Sequence, residues 1–371
     1  MTSYLSATEL TDALNLRDLS NPDQGHHAMQ TLLGGVISAL AGLWGISAEI
    51  IRNSPLVAVA DNYDKLGFDP ASVTRDQRYS RYVSPTVMLR SHTSASIPAL
   101  LSDLPPEAGC NHLLVLPGLV YRRDAIDRTH VGAPHQVDLW LVSSCTGLES
   151  ADLQTMIGTL VEAVLPGAQW RAIPAVHPYT VQGCQVDVLV GAEWLELAEC
   201  GLIAPHILTA AGLDPEVWSG LALGMGLDRA LMLRKGVPDI RLLRAADPRI
   251  EQQMLNLSPW QAVSVMPPIR RDISIVVDLE ADAETLGDRA RAALGDRIDD
   301  LESVEVLAVT AHADLPGGAQ DRLRLRPDQA NALVRLTLRP LSKTLTDSEA
   351  NTIRDDVYRA LHEGPVLELI G

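Results

Sequence analysis

Residues 117–142 run Pro117-Gly118-Leu-Val-Tyr121-Arg122-Arg123-Asp124-Ala-Ile126-Asp127-Arg128-Thr129-His130-Val-Gly-Ala-Pro-His135-Gln136-Val137-Asp138-Leu-Trp140-Leu-Val142. The chain leaves an apolar strand (His112-Leu-Leu-Val-Leu116), makes a polar turn and re-enters a strand at Gln136. A turn of this kind projects guanidinium, imidazole and carboxylate groups over a sheet edge. Arginine is the natural phosphate partner there, because its planar fork donates two parallel hydrogen bonds. A solvated hairpin with ordinary surface ion pairs has the same composition, so the segment alone leaves both readings open.

Working outward, the strand-and-turn pattern extends from about Pro55 to Asp247 and includes Val186-Asp-Val-Leu-Val190 and Trp194-Leu-Glu-Leu197. Strands that return through hydrophilic turns predict an antiparallel sheet rather than βαβ winding. A helix is expected over Asp152–Leu165, and Ser219–Arg234 is expected to close the region as a helix entered through glycines. Before the sheet, residues 1–54 read as helical: Ser6 to Leu14, then a stretch from Ala28 to Ala48 without a charged residue. That stretch is long enough to cross a bilayer. Yet it holds Gln30, Thr31, Ser38 and four glycines, and Leu32, Val36, Leu40 and Leu43 keep helical spacing. A buried or interface helix is the reading, and no membrane partner is expected.

Beyond residue 255, a linker over 256–268 carries Pro259, Pro267 and Pro268. Residues 269–371 then show strand (Ile273–Val277), helix (Ala283–Leu294), strand (Glu302–Val309), a polar loop, strand (Ala332–Leu338) and helix (Asp347–Leu361). This β-α-β-β-α order is the mark of a ferredoxin-like split unit. The fold class expected is therefore α+β, an antiparallel sheet flanked by helices with a smaller C-terminal α/β domain. A length of 371 residues with 46% apolar and 21% charged residues suits one large and one small domain. The formal charge of −17 repels phosphate backbones at long range, which excludes a general DNA or RNA binder. RNA contact is left to a local basic patch. Cys110, Cys145, Cys184 and Cys200 form no C-x-x-C pair, and Glu9, Asp12 and Asp18 lie where a signal peptide would be basic. Free thiols in a cytoplasmic protein are expected.

Three more stretches carry chemistry. In Gly220-Leu-Ala222-Leu-Gly224-Met-Gly226-Leu-Asp228-Arg229, the glycines let backbone approach a ligand, or simply permit strand–helix packing. An arginine at such a buried helix start is costly unless an anion meets it. The others are Leu89-Arg90-Ser91-His92-Thr93-Ser94 and Trp194-Leu-Glu196-Leu-Ala-Glu-Cys200-Gly201.

Together the four elements resemble the motifs of class II aminoacyl-tRNA synthetases, specifically the phenylalanyl family: L-R-x-H-T-S, a Y-R-x-D loop ending in H-Q-x-E, W-L-E-x-x-x-C-G, and G-x-G-x-E-R. Asp228 stands for the glutamate of the last. The tail, with Arg270-Arg271-Asp272-Ile-Ser-Ile and Leu338-Arg339-Pro-Leu-Ser-Lys343, resembles that family's ferredoxin-fold anticodon-binding domain. The resemblance runs over roughly residues 55–371, which makes residues 55–255 the catalytic domain and leaves 1–54 unmatched. A catalytic domain fused to this tail is similar to the single-chain mitochondrial form.

The resemblance implies ATP and Mg²⁺ as cofactors and amino acid and tRNA as partners. Arg122 takes the place of the arginine on the α-phosphate and Arg229 that on the γ-phosphate. Asp124, His130, Gly224 and Gly226 line the nucleotide, with Glu196 near the metal. His92, Ser94, Gln136 and Asp138 match positions around the substrate ammonium. In the pocket, the family's F-P-F-T is His177-Pro178-Tyr179-Thr180, and G-F-A-F-G is Gly220-Leu-Ala222-Leu-Gly224, which keeps the alanine and loses both rings. Phe68 is the chain's one phenylalanine. Either His177 and Tyr179 stack as the rings did, or they change the substrate. For tRNA, Arg322, Arg324 and Arg326 are expected on one face of a strand, joined by Arg335, Arg339 and Lys343. A paralogue serving another acceptor, or a non-catalytic regulator, has the same outline. Monomer and homodimer both remain open.

Overall fold

The computed structural model describes residues 4–76, 79–105, 109–123, 125–263, 267–341 and 343–367. Among these, strands are β1 (Ala48–Ile50), β2 (Leu56–Ala58), β3 (Arg81–Tyr82), β4 (Val87–Leu89), β5 (Asn111–Leu119), β6 (His135–Ser143), β7 (Trp170–Pro174), β8 (Thr180–Val190), β9 (Glu193–Ile203), β10 (Ser219–Gly226), β11 (Ile269–Asp278), β12 (Leu301–Ala311) and β13 (Gln329–Leu338). Helices are α1 (Ala7–Asn15), α2 (Ala28–Trp44), α3 (Val59–Asn62), α4 (Ile97–Ser102), α5 (Ser150–Val164), α6 (Pro205–Ala210), α7 (Leu227–Lys235), α8 (Pro248–Glu251), α9 (Ala283–Leu294), α10 (Gly317–Leu323) and α11 (Asp347–Leu361). The chain divides into two units, one built mainly from residues up to 122, 133–237 and 252–260, the other from 123–132, 238–251 and 261 onward.

In the larger unit, β6 alternates Val137, Leu139 and Leu141 with Gln136, Asp138 and Trp140, so one face is apolar and the other carries polar groups. It lies inside a seven-stranded sheet of order β1-β5-β6-β10-β9-β8-β7. All pairings are antiparallel except β1 with β5. The apolar face is covered by α5 and α7, and α2 packs against both of these helices. α2 buries Leu32, Leu33, Val36 and Leu40 and ends at Gly45 in the left-handed conformation. Among the described residues, no helix is long and apolar enough to cross a membrane. On the opposite face, Trp140, Leu114, Leu116 and Ala222 pack with Ile97 and Leu101 of α4 and Ile207 and Leu208 of α6. The expected helix over Ser219–Arg234 is corrected: its first eight residues are strand β10, and only Leu227–Lys235 is helical. Glycine and leucine alternate there, and pairing on both edges with β6 and β9 overrides any local preference.

The smaller unit holds an antiparallel sheet of order β11-β13-β12 against α9 and α11. Ile273, Ile275, Val334, Leu336, Leu286, Ile353, Val357 and Leu361 form its core. Residues 123–132 belong here: Ile126 joins that core, and Val304 N–H donates to its carbonyl at 3.0 Å. The expected strand through 322–326 is also corrected. Pro316 and two glycines start α10, Arg322 lies in it, and Arg324 ends it at φ 48°. The three arginines therefore share no strand face.

Candidate active site

The register defines which residues share the polar face of the large sheet. Asp138 is opposite Gly224, Gly224 opposite Glu199, and Glu199 opposite Gln185. A bulge between Val186 and Asp187 skips Leu197, so Glu196 opposes Asp187 and returns to the same face as Glu199. Arg122 enters from an antiparallel bridge with Ser80. Arg229 stands in the first turns of α7, its Nη1 3.9 Å from Glu196 Oε2 and 3.4 Å from the Glu196 carbonyl. Desolvation, then the charge of Glu199, raises the Glu196 carboxyl; Arg229 and Arg122 oppose this. Arg229 and Glu196 are thus neighbours on this face, and the charge of Arg122 acts on both Glu196 and Glu199. Asp228, beside Arg229, is turned away and buried against the His135 ring at 3.1 Å.

Asp138 is buried, accepting from the Thr93 hydroxyl, from Ser94 Oγ at 2.7 Å, from Gln136 Nε2 at 3.2 Å and from Trp140 Nε1 at 3.5 Å. Burial raises its pKa against these hydrogen bonds. A Cβ on Gly224 would lie 3.2 Å from Gln136 Nε2 and 3.7 Å from Asp138 Oδ1, so glycine keeps this spot open. Gly226, also expected at the nucleotide, has open space around a built Cβ. His92 and Ser94 are delivered by the short β2-β4-β3 sheet, whose strand β4 runs straight into His92-Thr93-Ser94. Both His92 ring nitrogens and Gln136 Oε1 are buried without a hydrogen-bond partner. Burial, then Arg122, pushes His92 down to about 3, so the ring is neutral.

His177 Nε2 lies 3.5 Å from Glu199 Oε2, and the hydrogen bond from His177 lowers the Glu199 pKa. Tyr179 stacks between His177 (ring centroids 6.2 Å) and Trp140 (5.8 Å), and burial followed by the charges of Asp138 and Glu199 raises its phenol pKa. Ala222 is directly opposite Trp140.

The structure therefore brings Arg122, Glu196, Arg229, His92, Ser94, Gln136, Asp138, His177, Tyr179 and Ala222 around one face of the sheet, with Arg229 beside Glu196 and the charge of Arg122 felt at both His92 and Glu196. It places His130 in the smaller unit, Nδ1 2.7 Å from Asp127. Asp124 lies outside the described residues. Arg339 is paired with Glu302 at 2.8 Å, Lys343 with Asp300 at 3.7 Å and Arg326 with Asp328 at 3.2 Å; Arg322 and Arg324 are exposed. Sequence reasoning missed Glu199 and Trp140. Trp140 was legible, since it is two residues from Asp138 on a strand; Glu199 was not, because the bulge that brings it beside Glu196 has no local signature. All four cysteines are free thiols in the structure. Among the described residues no group of three or more His, Cys, Asp or Glu is placed to hold a metal ion.

Residues 21–254 match the family model described as tRNA synthetases class II core domain (F). The match takes in α2, which the motifs alone left unassigned. The phenylalanine–tRNA ligase alpha subunit of Prochlorococcus marinus (strain MIT 9313) is 35% identical over 192 residues, 52% of this chain and 56% of that one. The alpha subunit of Nostoc punctiforme is 31% identical over 223 residues, 60% of this chain and 66% of that one. That of Leifsonia xyli subsp. xyli is 34% identical over 219 residues, 56% and 61% of the two chains. The chain thus spans less than two thirds of the length of these relatives. A pyrrolysyl tRNA synthetase structure from Desulfitobacterium hafniense aligns with a TM-score of 0.46 at 17% identity, over 60% of this chain and 75% of that one. With the family model covering well over half of its residues, this chain belongs to the class II tRNA synthetase core family of the F type.

Proposed function

We propose that the protein activates an amino acid with ATP, forming an aminoacyl-adenylate and pyrophosphate, and passes the acyl group to tRNA. The observation that carries this reading is one sheet face that joins Arg229, 3.9 Å from Glu196, to a buried, multiply hydrogen-bonded aspartate, Asp138. The substrate carboxylate attacks the α-phosphorus, the bond to the β-phosphate oxygen breaks, and pyrophosphate leaves. Charge grows on the α-phosphoryl oxygens as this happens. Arg122 at the α-phosphate and Arg229 at the γ-phosphate are fixed donors for that charge. Gln136 Oε1 and neutral His92 are the acceptors for the substrate ammonium, and the buried charge of Asp138 behind them draws it in.

Glu196 and Glu199, brought to one face by the bulge, fit a divalent cation: burial and the charge of Glu199 raise the Glu196 carboxyl, and a cation would relieve that. Mg²⁺ held there would neutralise phosphate charge on the nucleotide. The pocket departs from the phenylalanine type at His177 and Tyr179, which supports a substrate other than phenylalanine. Residues 269–371 are read as a ferredoxin-fold anticodon-binding domain, after a catalytic domain over 55–255 and a linker over 256–268. Because Arg326, Arg339 and Lys343 are already engaged by aspartate and glutamate, a second reading keeps the adenylate but hands it to a non-tRNA acceptor.

Pyrophosphate exchange over a panel of amino acids tests activation, and tRNA-dependent AMP release then tests the acceptor. Replacing either Arg122→Ala or Arg229→Ala is expected to lower exchange about 10²- to 10³-fold with the fold intact. Exchange left unchanged in both variants rules the assignment out.

A further inference from the structure

We propose that Cys184 and Cys200 form an oxidation site, which a hydroperoxide closes into a reversible disulfide across the β8–β9 hairpin. No step of this involves ATP or an amino acid, so it is independent of the activating reading above.

The two cysteines are direct partners in the register of β8 and β9, and their sulfur atoms lie 3.4 Å apart. Both are free thiols in this structure. Directly opposed residues of an antiparallel pair have Cα atoms about 4.5–5.5 Å apart, inside the range of about 4.4–6.8 Å that a disulfide spans. The sulfurs need to close by only about 1.4 Å to reach the bond length of about 2.05 Å. Cys200 also lies between Glu199, opposite Gly224, and Gly201, onto which Thr180 curls, so the bond forms inside the hairpin that carries Glu196 and Glu199.

The pair is asymmetric. The hydrogen bond with Cys200 lowers the Cys184 thiol against the cost of its burial, and the charge of His177 lowers it further. The same hydrogen bond, then burial, raises Cys200. A thiolate is the attacking form, so Cys184 reacts first. It is also the less buried of the two, 7% exposed against 2%, and is the first paired residue after the irregularity that follows Val181, two residues from exposed Gln182. That approach suits a small hydroperoxide better than a bulky disulfide oxidant.

The Cys184 sulfur attacks the terminal peroxide oxygen. An S–O bond forms as the O–O bond breaks, and the other oxygen leaves with the thiol proton as water or an alcohol. Cys184 is then a sulfenic acid. The Cys200 sulfur attacks the Cys184 sulfur next; the S–S bond forms, the S–O bond breaks, and hydroxide leaves with the Cys200 proton as water. The two thiols have lost two electrons and two protons, and the hydroperoxide has been reduced. A dithiol reverses the bond by exchange.

The test uses the full chain carrying Cys110→Ser and Cys145→Ser, so that only the pair remains. It is treated with hydrogen peroxide while folded and then alkylated with iodoacetamide in denaturant. Intact mass is expected to show the loss of two hydrogen atoms and no alkylation, and dithiothreitol to restore both alkylable thiols. Adding Cys200→Ser is expected to stop the reaction at a Cys184 sulfenic acid that dimedone captures; adding Cys184→Ser instead leaves Cys200 unmodified. Because serine in the core costs stability, the unsubstituted chain is oxidised and digested in parallel, and peptides joined through Cys184 and Cys200 are expected. Two thiols still alkylated after peroxide, Cys184 carried on to a sulfinic acid with no bond formed, or a bond that forms only after unfolding would each overturn the inference.

Discussion

Asp138 is a methylene shorter than the glutamate of the resembled motif, and four side-chain donors hold its carboxylate in place. The same wall leaves both nitrogens of His92 buried and unpartnered, and this has a measurable consequence. Its folded pKa, about 3, is depressed from the ordinary 6.5, so the unfolded chain takes up the proton first as pH falls. Stability from this group is complete above pH 6.5 and is lost as pH drops toward 3. His92→Phe is expected to flatten that loss by up to one proton, read as the urea midpoint at pH 7.5 against pH 5. Equal pH slopes in the two proteins would sink the point. His92, Ser94, Gln136 and Asp138 were legible because each sits in a short run with a recognisable motif. The Thr93–Asp138 bond was not, since 45 residues separate its partners.

The β8–β9 hairpin does most to shape the site. Gly191, at φ 63°, sits in its two-residue turn, and a bulge then brings Glu196 and Glu199 onto one face. Near the other end of the hairpin, a second irregularity lies between Val181 and Cys184, and Gln182 takes φ 52°. This curls Thr180 onto Gly201, where a Cβ would lie 2.7 Å from Thr180 Cβ and 3.1 Å from Gly183 Cα. Gly201→Ala is therefore expected to cost about 1–3 kcal/mol by overpacking. It should also disturb Tyr179, so the amino-acid KM rises more than the ATP KM in exchange assays. A variant as stable as the parent would show that the hairpin can give way. Helix ends, by contrast, were close to what local signals predict: α9 and α11 begin where Asp282 and Thr346 cap them.

Across the whole molecule, residues distant in sequence share cores that no local pattern reveals. Ile126 belongs to the core of the smaller unit, with Arg123 3.2 Å from Asp288, Arg291 donating to the Ala125 carbonyl at 2.8 Å and Arg128 2.8 Å from Glu302. Ile126→Ala is expected to destabilise that unit by about 2–5 kcal/mol. Hydrogen exchange in α9 and β12 should accelerate together, and exchange confined to residues 123–132 would contradict the placement. The basic side chains of the smaller unit are largely spent on its own carboxylates, which accords with a chain of formal charge −17. Motif residues, strand alternation and helix caps are written within a few positions of one another, so the family and the antiparallel character of the sheet could be read from the chain alone. Strand β10 in place of a helix, the bulge that brings Glu196 and Glu199 to one face, the pairing of Trp140 with Ala222 and the home of residues 123–132 needed the folded molecule. Each depends on which partner a segment meets across a sheet or in a core, and that energy lies in neighbours far along the chain rather than in the segment itself.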